Sequence, residues 1–426
     1  MQHKVSAAAA LLFLGAFIAP APAVAAAAED ILRLPIGDPA RRGREVKVVL
    51  DGVTDTSTGE VVTPAMLPAA LADIRVLFVG ESHTEMETHR VERKILEELV
   101  RAKRQVFVGL EMYPYTEQRF LDQWSAGQLD EKAFLEASHW YKNWGYRWEY
   151  YRDIFLFAQA NRLRMFAINT PREVVTSVRR KGFEGLTEEE RAHIPARIDT
   201  DNAEHLRLFK ASFDSDSFHA AGMSEDDWKR MLAAQCTWDA TMGYNAVQAL
   251  EKNGDPKTIM VVLIGSGHVQ YGLGAERQAR NVFKGRMASL IPVSVFDEKR
   301  GRVEVVNGAY ASFVWGIPAE ADPLYPSLGV STRAPEGAGL LSVIDVEKDS
   351  PAGKASVAVK DLLVSLDGSP VTDREALMRS MSGKNWGDAA RLVVRREGKD
   401  LAVTVLFRRE ARAKSTPAPS SSPATP

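Results

Sequence analysis

Four apolar runs in this chain each stop on a polar group able to do chemistry, and that recurrence limits the folds open to it. Val76-Leu-Phe-Val-Gly80 runs into Glu81-Ser-His83, Val106-Phe-Val-Gly-Leu110 into Glu111, Met165-Phe-Ala-Ile168 into Asn169, and Ile259-Met-Val-Val-Leu-Ile264 into Gly-Ser-Gly-His268. Runs this apolar read as buried strands, and the expected fold class is α/β, a mostly parallel central sheet flanked by helices. Ligands of such a sheet bind outside the carboxyl ends of the strands. Two glutamates and two histidines far apart in sequence are therefore expected to share one crevice.

Composition bounds what surrounds that crevice. With 426 residues, 45% hydrophobic and 26% charged, the chain is globular and long enough for two cores. Its 54 Lys+Arg nearly balance 56 Asp+Glu, so no electrostatic footprint for nucleic acid is present. Residues 1–28 read as a signal peptide: Lys4 is the positive start, Ala7 to Ile18 the apolar run, and Ala23-Val-Ala25 a small-residue cleavage site. The mature protein is expected to be periplasmic or secreted, and soluble. Cys236 is the single cysteine, which leaves no thiol for amino-terminal lipid attachment and no internal disulfide.

Beyond the signal, residues 45–320 alternate strand-like runs with helix-like segments such as Glu85 to Arg101, Tyr150 to Arg162 and Ser224 to Lys252. A Pro/Gly-rich stretch then leads into a small β-rich domain, residues 327–409, with one helix around Arg374 to Ser382 and a tight turn at Asp367-Gly368. Residues 410–426 are Ala, Ser, Thr and Pro without apolar periodicity and are expected to be disordered.

Each candidate residue has a structural reading beside its chemical one. Alternate residues of an extended segment point the same way, so Glu81 and His83 can face one ligand as a metal or acid/base pair. Equally, Ser82 or Thr84 can cap the next helix, with Glu85 or Glu87 at its positive end. Glu111 ends an apolar strand and needs a partner or a shifted pKa; a structural salt bridge would satisfy it. His268 sits in a turn with two glycines that lacks the spacing of a nucleotide-binding loop. Glu81, His83, Glu111 and His268 are thus the candidate metal ligands, and the candidate catalytic residues should the protein be a hydrolase. No G-x-S-x-G is present, so such a hydrolase would activate water.

Residues 113–151 hold six of the ten tyrosines and four of the eight tryptophans, with Trp140, Trp144 and Trp148 at i, i+4 spacing. This stripe reads either as a core face or as a wall for a large flat ligand such as a porphyrin, with Tyr113, Tyr146, Tyr150 or Tyr151, or a histidine, as axial ligand to iron.

Gly80-Glu-Ser-His83, Leu110-Glu-Met112, Trp140 to Tyr151, Asn169-Thr-Pro-Arg172, Gln235-Cys-Thr-Trp-Asp239 and Gly265-Ser-Gly-His268 resemble, in that order, the ChaN family of haem-binding lipoproteins. The resemblance implies the fold shared with Tiki-type metalloproteases and erythromycin esterases, haem binding for iron uptake, and a cleft lined by Glu81, His83, Glu111, Asn169, Arg172, Gln235, Asp239 and His268. The family's lipoprotein cysteine is absent. The small domain resembles an HtrA-like PDZ domain: Ser327-Leu-Gly-Val330 is similar to the carboxylate-binding loop, and Asp373 to Ser382 to the groove helix. That implies capture of a peptide C-terminus by Leu328, Gly329 and Val330. Lys360-Asp361 stands for the usual Gly-Asp, and Ser356-Val357 for Gly-Leu.

The expected function is an exported haem- or iron-binding protein with a peptide-binding module. Haem is the expected cofactor, and a homodimer is left open. The alternative is a hydrolase in the same cleft, with or without a divalent metal; a third reading is a scaffold that works through the PDZ-like groove.

Overall fold

The structure is a computed structural model that describes residues 29–213, 223–297, 301–320, 323–334 and 339–409. The signal peptide and the tail expected from the sequence lie outside these residues. Eight strands build the main sheet: β1 (Val53–Asp55), β2 (Val61–Val62), β3 (Val76–Glu81), β4 (Val106–Pro114), β5 (Arg164–Asn169), β6 (Ile259–Gly265), β7 (Met287–Ser294) and β8 (Phe313–Ile317). Their order is β2-β1-β8-β7-β3-β6-β4-β5. The run from β8 to β5 is parallel throughout, and β1 with β2 adds an antiparallel edge.

β3 is buried along its whole length because both faces of the sheet are covered. Leu77 and Val79 join the core on one side, and Val76 and Phe78 the core on the other. The first side is covered by α1 (Met86–Arg101), α2 (Gln118–Ser125), α3 (Glu131–Ala137), α4 (Trp140–Asn143) and α5 (Trp148–Ala160). On the second, α6 (Arg172–Lys181) packs against α7 (Glu225–Asn253), whose Met242, Ala246, Val247 and Leu250 lie on the sheet. A capping box at Ser224 and Asp227 starts α7.

Two local expectations are corrected. β4 does not stop at Leu110 but continues to Pro114, and its register with β5 breaks between those residues, so Glu111 leaves the sheet at an irregularity inside the strand. The tryptophans do not form one helical stripe. Gly145, at φ +83°, separates α4 from α5, a backbone conformation that a residue with a Cβ rarely takes. Trp140 and Trp148 still meet, with ring centroids 5.0 Å apart, because the chain folds back there.

The small domain is a second sheet of β9 (Val330–Arg333), β10 (Leu341–Val346), β11 (Leu362–Leu366), β12 (Ala389–Arg396) and β13 (Lys399–Leu406), closed by α8 (Arg374–Ser382) over its own apolar core. Asp373 caps α8 by accepting the Ala376 N–H. Asp367 and Gly368, both at positive φ, make the tight turn after β11. The domain docks on the α4–α5 corner: the Arg147 guanidinium lies 3.7 Å from the Tyr325 ring centroid and donates to the Lys384 carbonyl, while Tyr150 meets Tyr325 edge-on.

Ser356 and Lys360, which replace glycines of the resembled pattern, hold φ +64° and +79°. A Cβ at such a φ costs roughly 1–2 kcal/mol, against about 0.5–1 kcal/mol for the extra freedom of an unfolded glycine. Lys360→Gly is therefore expected to stabilise the small domain by up to about 1 kcal/mol. Denaturant unfolding followed at Trp386 measures this, and a loss of stability would show that the Lys360 side chain compensates for its backbone.

Candidate functional site

At the carboxyl ends of the parallel strands the imidazoles and carboxylates form two linked clusters. Gly80 lets this happen: a Cβ there would fall 3.0 Å from Ser266 Oγ and 3.1 Å from Ser266 Cα, so only a glycine lets β3 pass so close to the turn carrying His268. Ser266 Oγ then donates to the Glu81 carbonyl at 3.1 Å.

In the first cluster Glu81 Oε1 lies 2.7 Å from His83 Nδ1 and accepts from the Tyr151 hydroxyl at 2.9 Å. His89 Nδ1 lies 2.9 Å from Glu92 Oε2 and 3.1 Å from Glu81 Oε2. It has one proton to give, and the shorter contact takes it. Burial opposes ionisation of Glu81, but the His89 and His83 imidazoles outweigh it and hold the carboxyl well below the usual range. Burial, with the Glu81 charge beside it, pushes Glu92 up to about 8, so Glu92 carries a proton at neutral pH. His89 is raised to about 10 despite burial, by Glu81 and Glu92.

In the second cluster His268 Nδ1 lies 2.6 Å from Asp239 Oδ1, and its Nε2 3.4 Å from Glu111 Oε1. The Gln235 amide reaches the same Nδ1 at 2.8 Å. Gln235 and Asp239 are one helical turn apart on α7, so one face of that helix presents both to the imidazole. Burial lowers the His268 pKa, but Glu111 and Asp239 raise it to about 10. Glu111 Oε2 accepts the Gly265 N–H at 2.7 Å, and against burial the His268 charge holds its pKa down. Behind them His205 is kept low by burial, and the Cys236 thiol is pushed up to about 12. His205 and Cys236 therefore sit neutral and unreactive.

The clusters meet at a cavity of about 440 Å³ between the strand ends and the α4–α5 corner. His83, Glu111, Asn169, Arg172 and His268 line it, together with Met112, Trp144, Tyr146, Trp238 and Arg374. The rings of Trp144 and Tyr146 stand 4.8 and 4.9 Å from that of His83. Glu81 lies behind His83, and Asp239 and Gln235 lie behind His268, where each orients a ring nitrogen away from the cavity. Asn169 bonds back to the Glu111 carbonyl at 2.9 Å and fixes the strand end.

The tyrosines separate. Tyr113 is buried with its hydroxyl 2.8 Å from Ser138 Oγ, Tyr151 is spent on Glu81, and Tyr150, pushed up to about 12 mainly by burial, turns toward Tyr325. Tyr146 alone of the four lines the cavity. A second cavity of about 530 Å³ is lined by Leu328, Gly329 and Val330 together with Leu377 and Met381 of α8, and Tyr146, Tyr150 and Arg374 form part of its wall.

Residues 67–278 match the family described as haem-binding uptake, Tiki superfamily, ChaN. The large domain belongs to the ChaN-like haem-binding family. Residues 326–406 match the PDZ domain. The main sheet of the ChaN-like domain extends past the match at both ends, since β1 and β2 precede it and β7 and β8 follow it. A curated relative, Protein RETICULATA-RELATED 5, chloroplastic, of Arabidopsis thaliana, is 25% identical over 258 residues, 58% of this chain and 34% of the relative. The chain thus spans about a third of the length of that relative. Among solved structures, ChaN of Campylobacter jejuni with cofacially bound heme is 17% identical, covering 62% of this chain and 95% of its own at a TM-score of 0.47. The HtrA3 PDZ domain bound to a phage-derived ligand is 21% identical, covering 19% of this chain and 82% of its own at a TM-score of 0.17.

His89, Glu92, Trp238 and Arg374 were not singled out by the sequence. Glu92 stands three residues before Ile95 and four before Leu96, on the apolar face of α1, and a carboxylate on such a face is the signal that marks it. Two substitutions separate the roles in the first cluster. Glu81→Gln leaves two imidazoles without their shared anion and is expected to cost about 3–5 kcal/mol. Glu92→Gln replaces a group already neutral at pH 7 and is expected to be tolerated there. Because the Glu92 pKa is raised on folding, its contribution to stability falls as pH rises from the unfolded carboxyl value to about 8. Urea unfolding across that window checks this: Glu92→Gln should flatten the decline, and an unchanged slope would assign it to another group.

Proposed function

We propose that the cavity at the strand ends binds haem, and that the protein is an exported haem-binding protein of iron acquisition with a peptide-binding module. One observation carries the reading: His83 faces the cavity beside Trp144 and Tyr146 while its Nδ1 is tied to the buried Glu81. An iron porphyrin needs an axial donor and flat apolar walls, and Trp144, Tyr146, Trp238 and Met112 supply the walls. Tying Nδ1 to a carboxylate fixes the tautomer and leaves Nε2 as the donor. His268, held on both nitrogens by Asp239 and Glu111, is the less available imidazole. Bound haem would bring the redox and ligand-binding chemistry of its iron; His83 would hold the iron, and Trp144, Tyr146, Trp238 and Met112 would wall the group and exclude water. The signal-like composition of residues 1–28 supports export, and among the described residues no helix is long and apolar enough to cross a membrane.

Haemin titrated into the full-length protein is expected to give a saturable Soret shift that His83→Ala weakens at least tenfold. A shift that does not saturate, or that is indifferent to His83, removes the reading.

A second reading rests on a different observation. Ligand atoms of Glu81, His83 and Glu111 lie within 4.8 Å of one another, and His268 Nε2 is 3.4 Å from Glu111, a donor set that suits a divalent cation. In that case water-dependent ester or peptide hydrolysis should appear on adding zinc or manganese and vanish in both His83→Ala and Glu111→Ala. Turnover that survives both variants places the chemistry elsewhere.

A further inference from the structure

Arg374 comes from the first turn of α8 in the small domain, yet it lines the cavity of the large one. Its guanidinium sits against Gly145: a Cβ there would fall 2.1 Å from Arg374 Nη1 and 2.7 Å from its Cζ. The glycine at the α4–α5 corner is therefore also the seat of a residue from the other domain. Nη1 is buried and has no hydrogen-bond partner. Arg172, at the start of α6, lines the same cavity, and neither guanidinium has a hydrogen bond or ion pair with any other described residue.

Arg374 is partly buried and loses water without gaining an acceptor, while Arg172, exposed at the rim of the same cavity, adds a like charge beside it. Burial first, then the Arg172 charge, lowers the pKa of Arg374. Tyr146 stands close enough for both arginines to bear on its hydroxyl. Glu117 and Glu173 also border the cavity but pair with neither arginine. Donors arranged in this way, from two domains and around one opening, are complementary to an anion with more than one acceptor oxygen.

We infer that Arg374 and Arg172 form a split clamp for the carboxylate groups of the ligand held in the cleft, so that the bound ligand bridges the two domains. The inference rests on the haem reading for the identity of the acid, the porphyrin propionates, and on the two unpaired arginines for the clamp itself. The small domain then contributes directly to the binding site of the large one.

Two measurements on the full-length protein test the clamp. Haemin and its dimethyl ester, which lacks free carboxylates, are titrated into wild type, Arg374→Gln, Arg374→Lys and Arg172→Gln. Each glutamine variant is expected to weaken haemin about 10- to 100-fold and to leave the ester unchanged, since a charge-assisted contact is at stake. Arg374→Lys should recover part of the loss, because a point charge remains without the planar fork. Equal weakening of haemin and ester, or no weakening, overturns the clamp. Separately, succinate in the millimolar range should raise the melting temperature of wild type and not of either glutamine variant. Should haemin fail to bind while this difference holds, the haem reading falls and the clamp stands; should succinate act equally on all, the clamp falls.

Discussion

Burying ionised groups under the end of a sheet is costly unless each faces its opposite, and that condition organises this molecule. Glu81 comes from β3, His83 from the turn after it, His89 and Glu92 from α1, Glu111 from the irregular end of β4, Asp239 from α7 and His268 from the turn after β6. No element supplies a balanced set by itself. The helices α1 and α7 lie on opposite faces of the sheet, so the network ties the two apolar cores together at the carboxyl ends of the strands. Burial and the neighbouring Glu81 charge push Glu92 toward its neutral form, so that it competes less with Glu81 for the His89 charge.

The two histidines that border the cavity are held differently, and the difference follows from their neighbours. His83 is tied at Nδ1 only and its side chain keeps 27% of its surface exposed, whereas His268 has a carboxylate at each ring nitrogen and keeps 11%. The first is a group with one position free, the second a buried cation that orders its surroundings. Similar residue types in similar turns thus take unlike tasks, because Glu81 and Asp239 hold the two Nδ1 atoms alike, whereas Glu111 meets Nε2 of His268 and no described carboxylate lies at ion-pair distance from Nε2 of His83.

The convergence of Glu81, His83, Glu111, Asn169 and His268 was legible because each ends an apolar run, and the geometry of parallel sheets does the rest. Gln235 and Asp239 were reachable only through the family resemblance, since nothing in a long helix says which face meets a distant turn. The aromatic segment was legible as a cluster but not as a shape: a positive φ at Gly145 turns an apparent stripe into a corner, and that corner, more than spacing, decides that Tyr146 faces the cavity while Tyr113 and Tyr151 do not. Arg374 was beyond reach, because no local pattern reports that one domain will lean on another. The departures at Ser356 and Lys360 were visible as letters, and both residues hold the left-handed backbone that a glycine would adopt without strain.

The sheet order has a consequence for how the chain acquires its structure. β3, near the start of the ChaN-like domain, is flanked by β6 and β7 from its far end, and β1 waits for β8, which lies just ahead of the small domain. Loop closure of that length must precede the pairing that rewards it, so assembly of the main sheet is a late event during synthesis. Until then β3 is an apolar ribbon without a strand partner, the kind of segment that aggregates or recruits chaperones. The small domain, whose strands pair mostly with near neighbours, has no such delay once its residues are made. Until β7 and β8 are made, the strand ends that carry the cleft have no complete sheet behind them.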